Sequence, residues 1–314
     1  MLSVVIPLYN KGPHIASTLD TVLAQTLPAV EIIVVDDGST DNGPDVVQQY
    51  IKRSVRLVRQ SNQGVSVARN TGLQMAASAY VAFLDADDQW EPNHLATLAE
   101  LIALCPTAAL LSTAHVIRRE GQLIHPRSGC AQGRLGQVDD FFMAFSEGLS
   151  LVNSSTACVR KDALLAEGGF PVGMRRGEDV VAWMKLALQY PVAHAARVTA
   201  VFNQEAVNRS DVQRETEPPG SLLYMHRQMT TGGVPSGWQL GFCCLFDQLA
   251  LVTAANFRLK GDVEVAKAIA RLAYGAKRYK VAGLIAFVNF LPSWVLSFAK
   301  KYRHSFSQSQ RAEK

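Results

Sequence analysis

Four short apolar runs in the first 90 residues, each separated by a helix-length segment, constrain the fold more than any other feature of this chain. Ser3–Leu8, Glu31–Val35, Val55–Arg59 and Tyr80–Leu84 are rich in Val and Ile. Runs without strict polar alternation suit strands covered by helices on both faces. The intervening segments 13–25, 44–52 and 65–77 are long enough for right-handed crossovers, which imply a largely parallel sheet. Further along, a helix is expected at 92–104, strands at 108–116, 154–159 and 199–203, and helices at 161–167 and 179–189. Gly121–Gly136 reads as a loop or hairpin, residues 211–221 as a linker, and everything from Trp238 onward as helix.

Two of the apolar runs end in carboxylates. Phe83-Leu84-Asp85-Ala86-Asp87-Asp88 places three within four residues, and Asp36-Asp37 follows the second strand. Like charges so close repel unless a cation shares them. In open α/β sheets ligands bind outside the carboxyl ends of the strands. The pattern therefore points to a divalent cation, Mg²⁺ or Mn²⁺, and a phosphorylated ligand. Asp36-Asp37-Gly38-Ser39-Thr40-Asp41 also reads plainly as a turn and helix cap. Gly64 at a helix start allows close approach of an anion, with Arg69 about one turn inside. Gly177-Glu178-Asp179 opens an apolar helix, where a carboxylate gains from the helix dipole or serves as a general base.

Other chemistries lose support. The five cysteines are scattered without C-x-x-C spacing, which argues against a disulfide framework or zinc site and favours a reducing compartment. No G-x-S-x-G, P-loop or G-x-G-x-x-G motif is present. The N-terminus shows no secretory pattern. Charge is asymmetric: residues 1–257 hold 19 Lys and Arg against 24 Asp and Glu, whereas residues 258–303 hold 10 against 2. A basic, aromatic-studded surface spread over the folded body is missing, so no nucleic-acid partner is expected.

Taken in order, these motifs resemble family 2 glycosyltransferases. The matching pieces are Ser3-Val4-Val5-Ile6-Pro7-Leu8-Tyr9-Asn10, Glu31 through Asp41, Gly64 through Gly72, Phe83 through Asp88, and Gly177-Glu178-Asp179. The resemblance covers about residues 1–210. It implies a GT-A fold, Rossmann-like α/β with a mostly parallel central sheet flanked by helices, plus a C-terminal helical region. Residues 1–115 would form the nucleotide-sugar half, 116–215 the acceptor half and 216–314 the helical region. It further implies that Pro7, Tyr9 and Asp37 contact the nucleoside, with Asp36 close by and Arg69 near the diphosphate. Asp85 and Asp87 match the family's D-x-D, and either Asp87 or Asp88 would ligate the metal. Asp179 matches the catalytic base, with Glu178 beside it. The implied reaction is inverting transfer of one sugar from a nucleoside-diphosphate sugar, UDP favoured, to a glycan or lipid-linked acceptor in cell-surface glycan assembly. A non-catalytic nucleotide-sugar or glycan-binding subunit is the alternative. A nucleotidyltransferase would need a Gly-rich loop where Pro7 to Gly12 stand. The Q-x-x-R-W of processive members is absent.

Val281 to Ala299 is uncharged between Lys280 and Lys300-Lys301. Its length is at the lower edge for a membrane span. With the basic surroundings, residues 281–303 suit peripheral contact with an anionic membrane, a packed or oligomerising helix, or a span. Peripheral contact would place the protein in the cytoplasm at the inner face of the cell membrane.

Overall fold

The computed structural model describes residues 2–131, 133–206 and 216–291. Ten strands form one sheet: β1 (Leu2–Leu8), β2 (Glu31–Asp37), β3 (Val55–Gln60), β4 (Tyr80–Phe83), β5 (Gln89–Trp90), β6 (Leu110–Arg119), β7 (Gln122–Ile124), β8 (Leu135–Gln137), β9 (Ala157–Arg160) and β10 (Val192–Asn203). The main order is β3-β2-β1-β4-β9-β6-β10-β5, with β7 on β6 and β8 on β10. The four strands read from the N-terminal pattern are parallel neighbours. β9 enters antiparallel between β4 and β6, while β6 and β10 are parallel again.

β1 is buried along its whole length, and its side chains divide between two cores. Val4, Ile6 and Leu8 face one side with α1 (Gly12–Leu23) and α4 (His94–Leu104). Val5 faces the other, with α3 (Val65–Met75) and α7 (Glu178–Gln189). That division is the two-residue period of a strand covered on both faces. α3 lies close to β1 because Gly72 has no side chain: a Cβ there would sit 2.3 Å from Val5 Cγ1. Phe83, Phe170 and Trp183 pack edge-on or tilted beneath the parallel half, with ring centroids 5.1–6.5 Å apart.

Several elements differ from the sequence reading. β10 begins at Val192, seven residues before the expected strand. Its first half is held by buried His194, whose Nδ1 lies 2.8 Å from Ser112 Oγ. The segment 121–136 is not one hairpin, because β7 pairs with β6 and β8 with β10. α5 (Phe141–Ser146) and the two-residue β5 have no strong sequence pattern. The linker gives way to α8 (Gly220–Thr231), and its residues 211–215 lie outside the described residues. α9 (Gln239–Leu259), α10 (Val263–Gly275) and α11 (Tyr279–Phe290) follow. Ser236–Lys260 is long and apolar enough by composition to cross a bilayer. In the fold, however, α9 buries Phe242, Leu245, Phe246, Ala250, Ala254 and Phe257 in the larger core. Of the run 281–303, only α11 and Leu291 are described.

Candidate active site

The parallel register brings the carboxyl ends of β2, β1 and β4 side by side. Leu8 is opposite Asp36, and Leu84 N–H donates to the Val5 carbonyl. Both acidic strand ends therefore lie on one sheet edge. The loops beyond are tied together. Asn10 N–H donates to Ser39 Oγ (3.0 Å), Thr40 N–H donates to Asn10 Oδ1 (2.8 Å), and Gly12 N–H donates to Asp41 Oδ2 (2.7 Å). Pro7 is buried at this edge, and Tyr9 is exposed at its mouth.

Asp36 and Asp37 are both buried and shape the edge. Asp36 accepts from Ser39 N–H at 2.9 Å and from Arg59 Nε at 3.2 Å. Asp37 accepts from Gln60 Nε2, Gln63 N–H and Gly64 N–H at 2.8–2.9 Å. It thereby fixes the loop that starts α3, where Gly64 takes φ 91°, a conformation that favours glycine.

The third acidic group meets the second through Arg69. Its Nη2 donates to Asp85 Oδ1 and its Nη1 to Glu178 Oε1, both at 2.8 Å, although 109 residues separate Arg69 from Glu178. Arg69 is 3% exposed and lies over the Phe170 ring at 5.4 Å. Burial would lower its affinity for a proton, but Asp85, Glu178 and Asp179 outweigh that and hold the guanidinium above its ordinary pKa. Both terminal nitrogens are committed to carboxylates and the group is buried, so it sets spacing from beneath. Next to it, Asn70 clamps the Phe170 backbone, donating to its carbonyl and accepting its N–H at 2.8 Å each.

Glu178 is buried too. Burial, then the neighbouring Asp179 carboxylate, push its carboxyl up to about 7, while Arg69 pulls it down. Asp179 is half-buried at the N-terminus of α7. It receives Val180 N–H at 2.8 Å and Ser154 Oγ at 3.3 Å. Of the adjacent pair, Asp179 is the more accessible carboxylate.

Asp87 and Asp88 part company. Asp87 Oδ2 pairs with Lys11 Nζ at 2.6 Å, on side chains only 14% and 13% exposed. Asp88 is 1% exposed, accepts Asn203 N–H at 2.8 Å and is bonded by Ser155 Oγ. Burial, then Asp85 and Asp87, push its carboxyl well above the usual carboxylate range, against those two bonds. With both oxygens engaged by Ser155 and the Asn203 N–H, Asp88 fastens the β4 loop to β10. Ser155 Oγ also accepts Asp85 N–H at 3.1 Å. Lys11, Ser154, Ser155, Asn70 and Asn203 were not candidates from sequence. Ser154 and Ser155 sit in a short 3₁₀ turn preceding β9, where the sequence reads as strand.

Among the described residues, no cluster of three or more His, Cys, Asp or Glu side chains is arranged to hold a metal. Asp85 and Asp87 instead supply two carboxylates at one strand end. Each is ion-paired through one oxygen, Asp85 to Arg69 and Asp87 to Lys11, and a cation held there would take its remaining ligands from phosphate and water.

The sequence profile described as "Glycosyl transferase family 2" matches residues 3–161. The chain belongs to this family. It is 46% identical over 99 residues to the uncharacterized glycosyltransferase YibD of Escherichia coli, covering 31% of the chain and 29% of YibD. It is 44% identical over 98 residues to the putative teichuronic acid biosynthesis glycosyltransferase TuaG of Bacillus subtilis, covering 30% of the chain and 39% of TuaG. These alignments thus span well under half of either relative. The fold is GT-A-like. It is similar to S. aureus TarS 1–349 in complex with UDP-GlcNAc, with TM-score 0.64, 18% identity, and coverage of 97% of this chain and 92% of that one. It also resembles the mannosyltransferase PcManGT from Pyrobaculum calidifontis in complex with GDP-Man and Mn²⁺, with TM-score 0.56, 22% identity, and coverage of 98% and 83%.

Proposed function

We propose that this family member transfers a single sugar, with inversion, from a nucleoside-diphosphate sugar to a hydroxyl of a glycan or glycolipid acceptor in cell-surface polysaccharide or lipopolysaccharide assembly. A UDP-sugar is the favoured donor. The observation that carries the reading is the Arg69 bridge, which holds the Asp85 strand end and the Glu178-Asp179 helix start at one cleft. Support for donor and pathway comes from the relatives: TarS with UDP-GlcNAc, PcManGT with GDP-Man and Mn²⁺, and TuaG by its assigned pathway.

In this reading the nucleoside lies at the edge formed by Pro7, Tyr9, Asp36 and Asp37. Asp85 and Asp87 would hold Mn²⁺ or Mg²⁺, which when bound neutralises charge on the departing diphosphate. Asp179 takes the proton from the acceptor hydroxyl as its oxygen attacks the anomeric carbon. The bond from that carbon to the diphosphate breaks, releasing nucleoside diphosphate and the glycosylated acceptor. Arg69 and Glu178 keep the proton acceptor at a fixed distance from the leaving group.

The test is nucleoside-diphosphate release from a panel of nucleotide sugars with Mn²⁺, alongside calorimetric binding of the nucleotide. Asp179→Asn is expected to slow release by ~10²–10⁴-fold while leaving nucleotide binding in place. Unchanged turnover would remove Asp179 from the base role. Binding without turnover across the whole panel would favour the binding-subunit reading instead.

A further inference from the structure

α11 buries Val281, Ala282 and Ile285 against the rest of the helical layer. Its other side is largely apolar as well: Tyr279, Gly283, Leu284, Ala286, Phe287 and Phe290 are all exposed, Phe287 at 61% and Phe290 at 86%, with exposed Lys280 at the N-terminal end of the same face. A helix on a water-facing surface normally places polar residues there, and a contiguous apolar patch marks an interaction surface. At one end of the patch the Tyr274 ring, from α10, packs 5.1 Å from the Tyr279 ring, and both are exposed. Tyrosine, with an apolar ring and a polar tip, suits a bilayer interface. Between α10 and α11 lies a cavity of about 320 Å³ lined by Lys267, Ala270, Arg271, Ala286, Asn289 and Phe290. Lys267 there also pairs with Glu264 at 2.7 Å.

The surrounding charge indicates what covers this face. Among the described residues from Val265 to Leu291 there are five basic side chains, Lys267, Arg271, Lys277, Arg278 and Lys280, and no acidic one; Lys267 and Arg278 pair with Glu264 and Asp247, and the other three add net positive charge. A second copy meeting the patch across a two-fold axis would bring two such basic segments together. An anionic lipid surface supplies the opposite charge, and each Lys or Arg near it adds to the attraction. The twelve residues of α11 reach about 18 Å, short of the roughly 30 Å hydrocarbon core. We propose that the exposed face of α11, with the Tyr274–Tyr279 pair and its basic surroundings, docks in the plane of an anionic bilayer. The inference is independent of the proposed transfer reaction.

Flotation of the full chain with lipid vesicles tests it. Binding is expected to phosphatidylcholine vesicles containing about a third phosphatidylglycerol, and to be several-fold weaker with phosphatidylcholine alone or at high salt. Phe287→Glu should lower partitioning by roughly tenfold or more, since an apolar ring that enters lipid is replaced by a charge. Because Phe287 is exposed, its melting temperature should match wild type, which separates lost docking from lost folding. No vesicle binding, or equal binding to neutral and anionic vesicles, would overturn the proposal. So would a dimer in lipid-free buffer that Phe287→Glu converts to monomer, for then a second copy covers the face.

Discussion

Replacing Arg69 with Met would keep most of the side-chain volume while removing the only positive charge bonded to both Asp85 and Glu178 among the described contacts. Breaking a buried ion pair by deleting one partner costs about 3–5 kcal/mol, because the remaining charge is left uncompensated. Most of that cost belongs to Glu178, whose side chain is 11% exposed; Asp85 is 32% exposed and water screens it more. At roughly 2–4 °C per kcal/mol for a large domain, the melting temperature should fall by roughly 6–20 °C near pH 8. The pH dependence has a definite sign. Glu178 already sits up to about 7 in the fold, above its unfolded value, and losing Arg69 raises it further. A raised carboxyl folds most favourably with its proton on, so stability is full below the unfolded pKa and lost as pH climbs through the folded one. The melting deficit of Arg69→Met should therefore shrink toward about pH 5. The double variant Arg69→Met/Glu178→Gln, which carries no stranded charge at residue 178, should recover part of the loss. Thermal unfolding of wild type, Arg69→Met and the double variant across pH measures all of this. A deficit of only a degree or two at every pH, or a double variant no more stable than Arg69→Met, would refute the bridge as the site's positioning device.

Further substitutions probe the surrounding frame by thermal unfolding and turnover. Asp88→Asn should stay within about 1 kcal/mol of wild type, because an amide can serve Ser155 and the Asn203 N–H, whereas Asp88→Ala strands both and should cost about 1–3 kcal/mol. If the proposed cation site is right, Asp88→Asn keeps Mn²⁺-dependent release of nucleoside diphosphate and Asp87→Asn loses it. Gly72→Ala pushes a methyl into Val5 and should cost about 1–3 kcal/mol, with a parallel drop in transfer as α3 shifts Arg69.

The parallel half of the sheet was legible because its strands are buried on both faces and so read as unbroken apolar runs, and the acidic groups stood out at their ends. β10 was half-missed because Val192 to Ala196 is rich in Ala and contains His194, residues that carry little strand preference until Ser112 meets the imidazole. The convergence of Asp85 with Glu178-Asp179 was expected from resemblance, but the agent of that convergence was not. No local spacing links Arg69 to a partner 109 residues away, and its place inside a helix start suggested an anion-binding role. Asp87 and Asp88 are equivalent in sequence; Lys11 on the one, and Ser155 with the Asn203 backbone on the other, tell them apart. Hydroxyls such as Ser154 and Ser155 carry no pattern of their own, so their work in the site is visible only once the turn preceding β9 has been placed.

Arg69 and Asn70 are consecutive residues on α3, and between them they grip both banks of the cleft. One rigid rod thus serves as the gauge block of the machine. Exposed positions away from α3, such as 121–123 and 172–173, can change without altering that gauge. A lineage built this way can rewrite peripheral loops while the spacing between the Asp85 and Glu178-Asp179 carboxylates stays the same.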